Sequence, residues 1–305
     1  MAARALTVLQ VGSRLARIGP LGPMVVVAQW LGSVVGPRVM RGKAKQLQRH
    51  VARVDDGLGQ ESDHQKIMQR GFGSYGRYWL ESFRIPYLTD LQVDRGFSFI
   101  GYGKIEQVRA DGIGPILVLP HLGGWEWAAA WLGRIAKVEV TAVVERLEPE
   151  EVFDWFTRLR QAFGVNVVPL GPRAMVDVVA AVKRRDIVCL LSDRDIGGNG
   201  VEVRFFDEVT TLPVGPALLA RRTGAPLLPT AVFFRGRQRV CLVGDPIWPG
   251  RSDGEKPTGG RAAENQRIMQ LVADRLAELV AMAPDQWHLL EPNWPSDHER
   301  QSISP

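Results

Sequence analysis

Residues 116–135 read ILVLPHLGGWEWAAAWLGRI, and this stretch decides the fold class. Four consecutive apolar residues at 116–119 suit a short strand buried on both faces, which is the habit of parallel sheets. Pro120 ends the run, the pair Gly123-Gly124 permits a sharp turn, and the Ala/Trp-rich sequence to about Ile135 suits a helix. The same alternation recurs downstream, with apolar runs at 138–144, 165–168 and 187–191 separated by helical patterns at 149–163 and 173–185. That order predicts an α/β fold with a largely parallel central sheet flanked by helices. Further on, VEVRFF (201–206) reads as a strand and 214–223 as a helix. Residues 226–235 and 239–245 can pair as a hairpin. A polar, Gly-rich loop at 249–260 precedes a long amphipathic helix over 261–282.

Working upstream, residues 61–84 predict a helix with aromatic residues Phe72, Tyr75, Tyr78, Trp79 and Phe83 on one face, and Pro86 ends it. Such a stripe reads as core packing. No internal repeat and no linker separates two halves, so 55–305 is expected to form one α/β domain. The whole chain has 305 residues, 45% apolar and 23% charged, which excludes collagen-like, low-complexity and largely disordered classes. Its two cysteines, Cys189 and Cys241, lie in apolar runs without metal-ligand spacing. They read as buried strand thiols in a reducing compartment, not as a disulfide or a zinc site.

Charge is distributed unevenly. Residues 1–54 carry nine basic side chains (Arg4, Arg14, Arg17, Arg38, Arg41, Lys43, Lys45, Arg49, Arg53) and no acidic one. With a formal net charge of +5 overall and +9 on this segment, the remainder stands at −4. A slightly acidic body argues against a nucleic-acid partner, whose phosphates want basic residues spread over a recognition surface. A basic terminus points to an anionic membrane surface. The neighbouring apolar stretch is clean only from Met24 to Val35 and lies between Pro20 and Pro37, too short for a spanning helix. The expectation is therefore an apolar helix followed by a basic amphipathic one, together forming a membrane-docking segment over 1–54, the alternative being a helical cap on the core.

Reactive groups of open α/β sheets collect at the carboxyl ends of strands. Two apolar runs here finish in such groups, one in His121 and the other in Asp193-Arg194-Asp195. Glu126 follows His121 at HxxxxE spacing, and the intervening glycines allow its carboxylate to face the imidazole and fix its tautomer. His50, His64, His288 and His298 share no ligand spacing with His121, so no metal is expected. Nucleotide-binding glycine motifs and GxSxG are absent. A histidine base without a protein nucleophile suits direct deprotonation of a substrate hydroxyl, which then attacks an activated acyl group.

The block LPHLGGWEWAA resembles the HxxxxD/E block of the bacterial lipid acyltransferases, the family that includes the lipid A lauroyl acyltransferases. Further similar stretches are SYGRYWLESFRIP (74–86), VVERLEPE (143–150), 192–229 and PDQWHLLEPNW (284–294), and they bring the chain nearest to the phosphatidylinositol mannoside acyltransferases. The resemblance implies a peripheral enzyme on the cytoplasmic face of the cell membrane. It would move a long acyl chain from acyl-CoA to a sugar hydroxyl of a glycolipid, and would need no other cofactor. By the same resemblance His121 is the base and Glu126 its acidic partner. Asp193 falls where the mannoside enzymes carry a supporting Glu. Arg160, Asn199 and Arg222 match positions lining the thioester-donor site, with an acidic residue expected in place of Arg222. Arg194 is grouped with the donor site, or pairs with Asp195 to shape it. Trp125, Trp127 and Trp131 are candidates for an acyl tunnel. The alternatives left open are a lipid A-type acceptor, a thioesterase, or a non-catalytic acyl-lipid-binding protein.

Overall fold

A computed structural model describes residues 2–54, 61–250 and 260–299. Three helices come first: α1 (Ala2–Leu15), α2 (Leu21–Val39) and α3 (Arg41–Val54). The expected apolar helix does not stop at Pro37 but carries that residue in its last turn. Next come α4 (Glu61–Arg84), α5 (Asp90–Arg95), β1 (Phe97–Ile100) and α6 (Tyr102–Ala110). The alternating core then runs β2 (Ile116–Leu119), α7 (Trp125–Arg134), β3 (Val140–Val144), α8 (Glu150–Gln161), β4 (Val165–Pro169), α9 (Ala174–Lys183) and β5 (Ile187–Leu191). A small antiparallel pair, β6 (Val201–Phe205) and β7 (Glu208–Leu212), precedes α10 (Gly215–Thr223). The chain closes with β8 (Leu227–Arg235), β9 (Gln238–Val243), α11 (Arg261–Ala281) and α12 (Pro295–Glu299). The Gly-rich loop read over 249–260 falls mostly outside the described residues, as do 55–60 at the start of the α/β segment.

Seven strands form one sheet in the order β1-β9-β8-β2-β5-β3-β4. All neighbours pair in parallel except β8 and β9, which form the expected antiparallel hairpin. The unbroken apolar runs have a direct cause. In β2, Ile116 and Val118 enter a layer built with α9, α10 and α11, while Leu117 and Leu119 enter the opposite layer with α5 and α7. Side chains alternate between faces, so a strand covered on both sides must be apolar at every position. Cys189 and Cys241 are free and buried in strands. Strand β7 and the β1–α6 unit went unread in sequence because β7 (EVTTL) and the FSFI of β1 are short and carry polar residues.

The N-terminal helices attach through α4. Helix α2 lies against it along small residues, and a methyl group added at Gly32 would meet the carbonyl oxygen of Phe72 at 2.3 Å. A methyl group at Gly73 would lie 2.9 Å from the Gln29 carbonyl oxygen, and one at Gly76 2.5 Å from that of Ala28. The other side of α2 presents Val26, Val27, Trp30, Leu31, Val34, Val35 and Val39 as exposed side chains, and Trp30 is 61% accessible. Among the described residues no helix is long and apolar enough to cross a membrane. The basic stripe expected on α3 is only partly free. Lys43 pairs with Glu291, and Arg53 with Glu208 and Asp297, while Arg49 donates to the Asp297 carbonyl. Arg41 and Lys45 remain exposed. Helix α3 also buries Leu47, His50 and Val51, so these ties follow from its packing on the body.

Candidate active site

Strands β2 and β5 are parallel neighbours with Leu119 opposite Leu191. Two residues beyond each of these stand His121 and Asp193, so strand register brings them together at the carboxyl edge of the sheet. The imidazole Nδ1 lies 2.6 Å from Asp193 Oδ1, and the His121 backbone N–H donates to Oδ2 at 2.8 Å. Asp193 is fully buried. Burial alone would raise its pKa, but the charge and hydrogen bond of His121, the Trp287 N–H and the His121 backbone N–H outweigh that, and the carboxyl is held below its ordinary value. For His121 burial disfavours the cation, yet the charge and hydrogen bond of Asp193 prevail and its pKa is raised above 6.5. Arg194 opposes this shift and Glu145 adds to it. The Nε2 of His121 has no protein partner among the described residues. An imidazole held this way through Nδ1 and open at Nε2 can accept a proton from a bound hydroxyl.

Glu126 does not take the role read from HxxxxE spacing. No hydrogen bond joins it to His121. Gly123 turns the chain with a φ of +61°, and an added methyl there would fall 1.7 Å from the Val232 carbonyl oxygen. The Gly123 and Gly124 N–H groups bond the carbonyls of Gln286 and Val232, fixing the turn and leaving neither free for an oxyanion. Glu126 then sits in the first turn of α7, pointing between α4 and α8. It accepts from Tyr78 Oη at 2.6 Å and from Arg160 at 3.3 Å. Its pKa is raised by burial, against the opposing pull of Arg160. Glu126 thus anchors Arg160 at the wall, and Asp193 is the carboxylate that meets His121.

His121 opens into a cavity of about 660 Å³, within the size range of small-molecule sites. Its walls are mostly apolar, including Leu122, Val143, Leu170, Met175, Leu190 and Leu219. Arg160, Arg194 and Asn199 line it as read from the sequence. Arg222 does not: it is exposed on the last turn of α10, one turn beyond the lining residue Leu219. Of the three tryptophans, only Trp125 reaches the cavity. Trp127 is buried, with its N–H bonded to the Val93 carbonyl, and Trp131 bonds Asp94 beside Phe99 and Tyr102. Asp195 forms no ion pair with Arg194. Its carboxylate accepts from the N–H groups of Gly198 and Gly200 and from Thr211 Oγ1, closing the loop after β5.

Sequence reasoning missed several residues at this site. Tyr75, Tyr78 and Trp79 line the cavity, although the stripe that carries them read as core packing. Trp287 donates its indole N–H to Asp193 Oδ2 at 2.8 Å, and Asn293 Nδ2 donates to the Asp193 carbonyl at 3.0 Å. His288 also lines the cavity. It contacts Ser74 Oγ through Nε2 at 2.9 Å, and burial pushes its pKa down to about 3, so it is neutral. The segment PDQWHLLEPNW was visible as a block of sequence, but nothing in it signalled contact with residues nearly a hundred positions earlier. Among the described residues no His, Cys, Asp and Glu cluster could hold a metal.

Comparison with known proteins adds to this geometry. The family described as bacterial lipid A biosynthesis acyltransferase matches residues 13–296. The phosphatidylinositol mannoside acyltransferase of Mycobacterium tuberculosis is 38% identical over 261 residues, covering 84% of this chain and 78% of that protein. Its counterpart from Mycolicibacterium smegmatis is 34% identical over 259 residues, covering 84% and 81%. The lipid A biosynthesis lauroyltransferase of Escherichia coli is more distant, 27% identical over 197 residues, covering 63% and 62%.

Proposed function

Because the chain belongs to the bacterial lipid A biosynthesis acyltransferase family, we propose that this acyltransferase moves a long acyl chain from acyl-CoA to a mannose hydroxyl of a phosphatidylinositol mannoside. The observation that carries the reading is His121, paired with the buried Asp193, at the wall of a large, mainly apolar cavity. The acceptor named for the two mycobacterial relatives supplies the sugar, and the cavity's apolar lining suits the acyl tail.

His121 Nε2 takes the proton of the acceptor hydroxyl as its oxygen attacks the thioester carbonyl. Asp193 stabilises the imidazolium that forms and keeps the Nδ1–H tautomer, so that Nε2 is the basic nitrogen. Collapse of the tetrahedral intermediate breaks the C–S bond, and His121 returns the proton to the departing thiolate. Arg160, fixed by Glu126, and Arg194 place positive charge on the cavity wall for the donor's phosphates, with Asn199 beside them. The protein meets its glycolipid at an anionic leaflet, on the cytoplasmic side. The apolar face of α2 enters the lipid interface, and Arg41 and Lys45 lie close enough along the chain to reach headgroups.

Transfer from a long-chain acyl-CoA to a mannosylated phosphoinositide, followed by mass spectrometry for wild type and His121→Ala, tests this directly. Loss of at least about a hundredfold in turnover is expected for removal of a general base. Undiminished turnover in the variant would overturn the assignment. A panel containing a lipid A precursor checks the acceptor.

A further inference from the structure

Asp193 needs a fixed carboxylate plane to present Oδ1 to His121, and the residues of β5 do not supply it. The fixing donors come from two places. One is the His121 backbone N–H and the other is the indole of Trp287, both on Oδ2 at 2.8 Å. The segment carrying Trp287 is itself tied across the site. The Gln286 carbonyl accepts from Gly123, and the Gln286 side chain makes two bonds with the backbone of Phe234. The backbone N–H of the next residue, His288, donates to the His121 carbonyl at 2.6 Å. Consecutive residues thus hold both members of the pair, one through a side chain and one through the main chain.

Trp287 is also completely buried, boxed by the rings of His50, Phe205, Phe206 and Trp294. A ring packed on this many sides cannot swing away, so its N–H is a preorganised donor and not one of several rotamers. A buried carboxylate keeps its charge only where donors replace lost water, and Asp193 has three of them.

We infer that Trp287 is the positioning residue of the acyl-transfer site: its indole N–H holds the Asp193 carboxylate in the plane that orients His121. The inference rests on the proposed role of His121 as base. Without the indole donor the carboxylate is free to rotate, and its bond to Nδ1 loosens. Asp193 then favours the His121 cation less, and burial and the charge of Arg194, which oppose that cation, weigh more.

The test compares Trp287→Phe with Trp294→Phe. Trp294 belongs to the same aromatic box but bonds the Phe205 carbonyl and not Asp193, so its variant reports the cost of disturbing the packing alone. Trp287→Phe is expected to lower kcat about tenfold, with donor KM within twofold, in line with the loss of one hydrogen bond to a charged group. The acidic limb of its kcat/KM profile moves to lower pH, and the downfield proton resonance of the His121 Nδ1–H bond shifts upfield. Trp294→Phe should leave both the limb and the resonance in place. Should Trp287→Phe not fold, 3-benzothienyl-alanine at 287 removes only the N–H and gives the same readouts. An unchanged limb, resonance and kcat in the Trp287 variant would overturn the inference, as would equal changes in both variants. Retained activity in His121→Ala would instead overturn the assignment of the base, so the two failures are distinct.

Discussion

Asp193→Asn changes one atom's chemistry and tests the site's central pair. In the native arrangement three donors converge on the carboxylate: His121 Nδ1 on Oδ1, and the His121 backbone N–H and Trp287 Nε1 on Oδ2. An amide has a single acceptor. Placed toward the backbone and indole donors, its oxygen satisfies two of them and turns the NH2 group to Nδ1. That orientation wins, because the reverse would set an NH2 against two N–H donors around a fully buried side chain. Nδ1 must then accept, and the imidazole proton moves to Nε2, the nitrogen that has to be the base. Losing the charged partner alone costs about 1.5–3 kcal/mol, which is about 10- to 150-fold in rate. The reversed tautomer adds to this, and about 10⁴-fold is known for the same change in a serine-protease triad. The expected fall in kcat is therefore about 10²- to 10⁴-fold. Donor KM should hold, since Asp193 does not line the cavity. Steady-state transfer assays give the rate, and ¹⁵N chemical shifts of His121 give the tautomer. A kcat within about threefold of wild type, or an unchanged Nδ1–H tautomer, would refute the reasoning.

Three other outcomes follow from the same structure. As the proposed base His121 must be neutral to act, and its pKa is raised, so the acidic limb of kcat/KM should lie above 6.5 and move down when Asp193 becomes Asn; a wild-type limb below 6.5 contradicts the pairing. On anionic vesicles, Trp30→Glu with Val26→Glu should weaken binding at every salt concentration by at least about tenfold, each lost apolar side chain being worth about 1.5–3 kcal/mol. Arg41→Gln with Lys45→Gln should remove only a salt-sensitive part, about 1 kcal/mol per charge, and equal binding in both double variants and wild type would dismiss the docking face. Gly32→Val drives a side chain into the Phe72 backbone, so α2 must lift from α4 at a cost of about 1–3 kcal/mol; an unchanged denaturation midpoint and unaltered proteolysis at Arg38 would show that the close approach is unimportant.

Much of this protein could be read from local pattern. Continuous apolar runs between helical segments announced a parallel sheet covered on both faces, because a doubly buried strand leaves no position for a polar side chain. The strand-end positions of His121 and Asp193 were legible too, because each closes an apolar run at the carboxyl edge of the sheet, although Asp193 stays fully buried and owes its charge to the donors around it. The glycines at 123 and 124 were readable as a turn, though they settle which way Glu126 faces only through Val232 and Gln286, which belong to distant segments. What sequence alone left open was which strand lies beside which. β3 and β4 intervene in the chain between β2 and β5, yet β2 and β5 are neighbours, and their level register sets Asp193 rather than Glu126 against His121. Glu126 shares a helix start with the histidine's own turn, but helix direction sends its carboxylate sideways to Tyr78 and Arg160. Trp287 meets Asp193 from 94 residues along the chain, with His288 beside it, and Arg222, chosen by family resemblance, ends on the surface. Spacing along a chain fixes which groups can share one element. Partners on different elements are chosen by strand order, register and packing, which are properties of the whole fold.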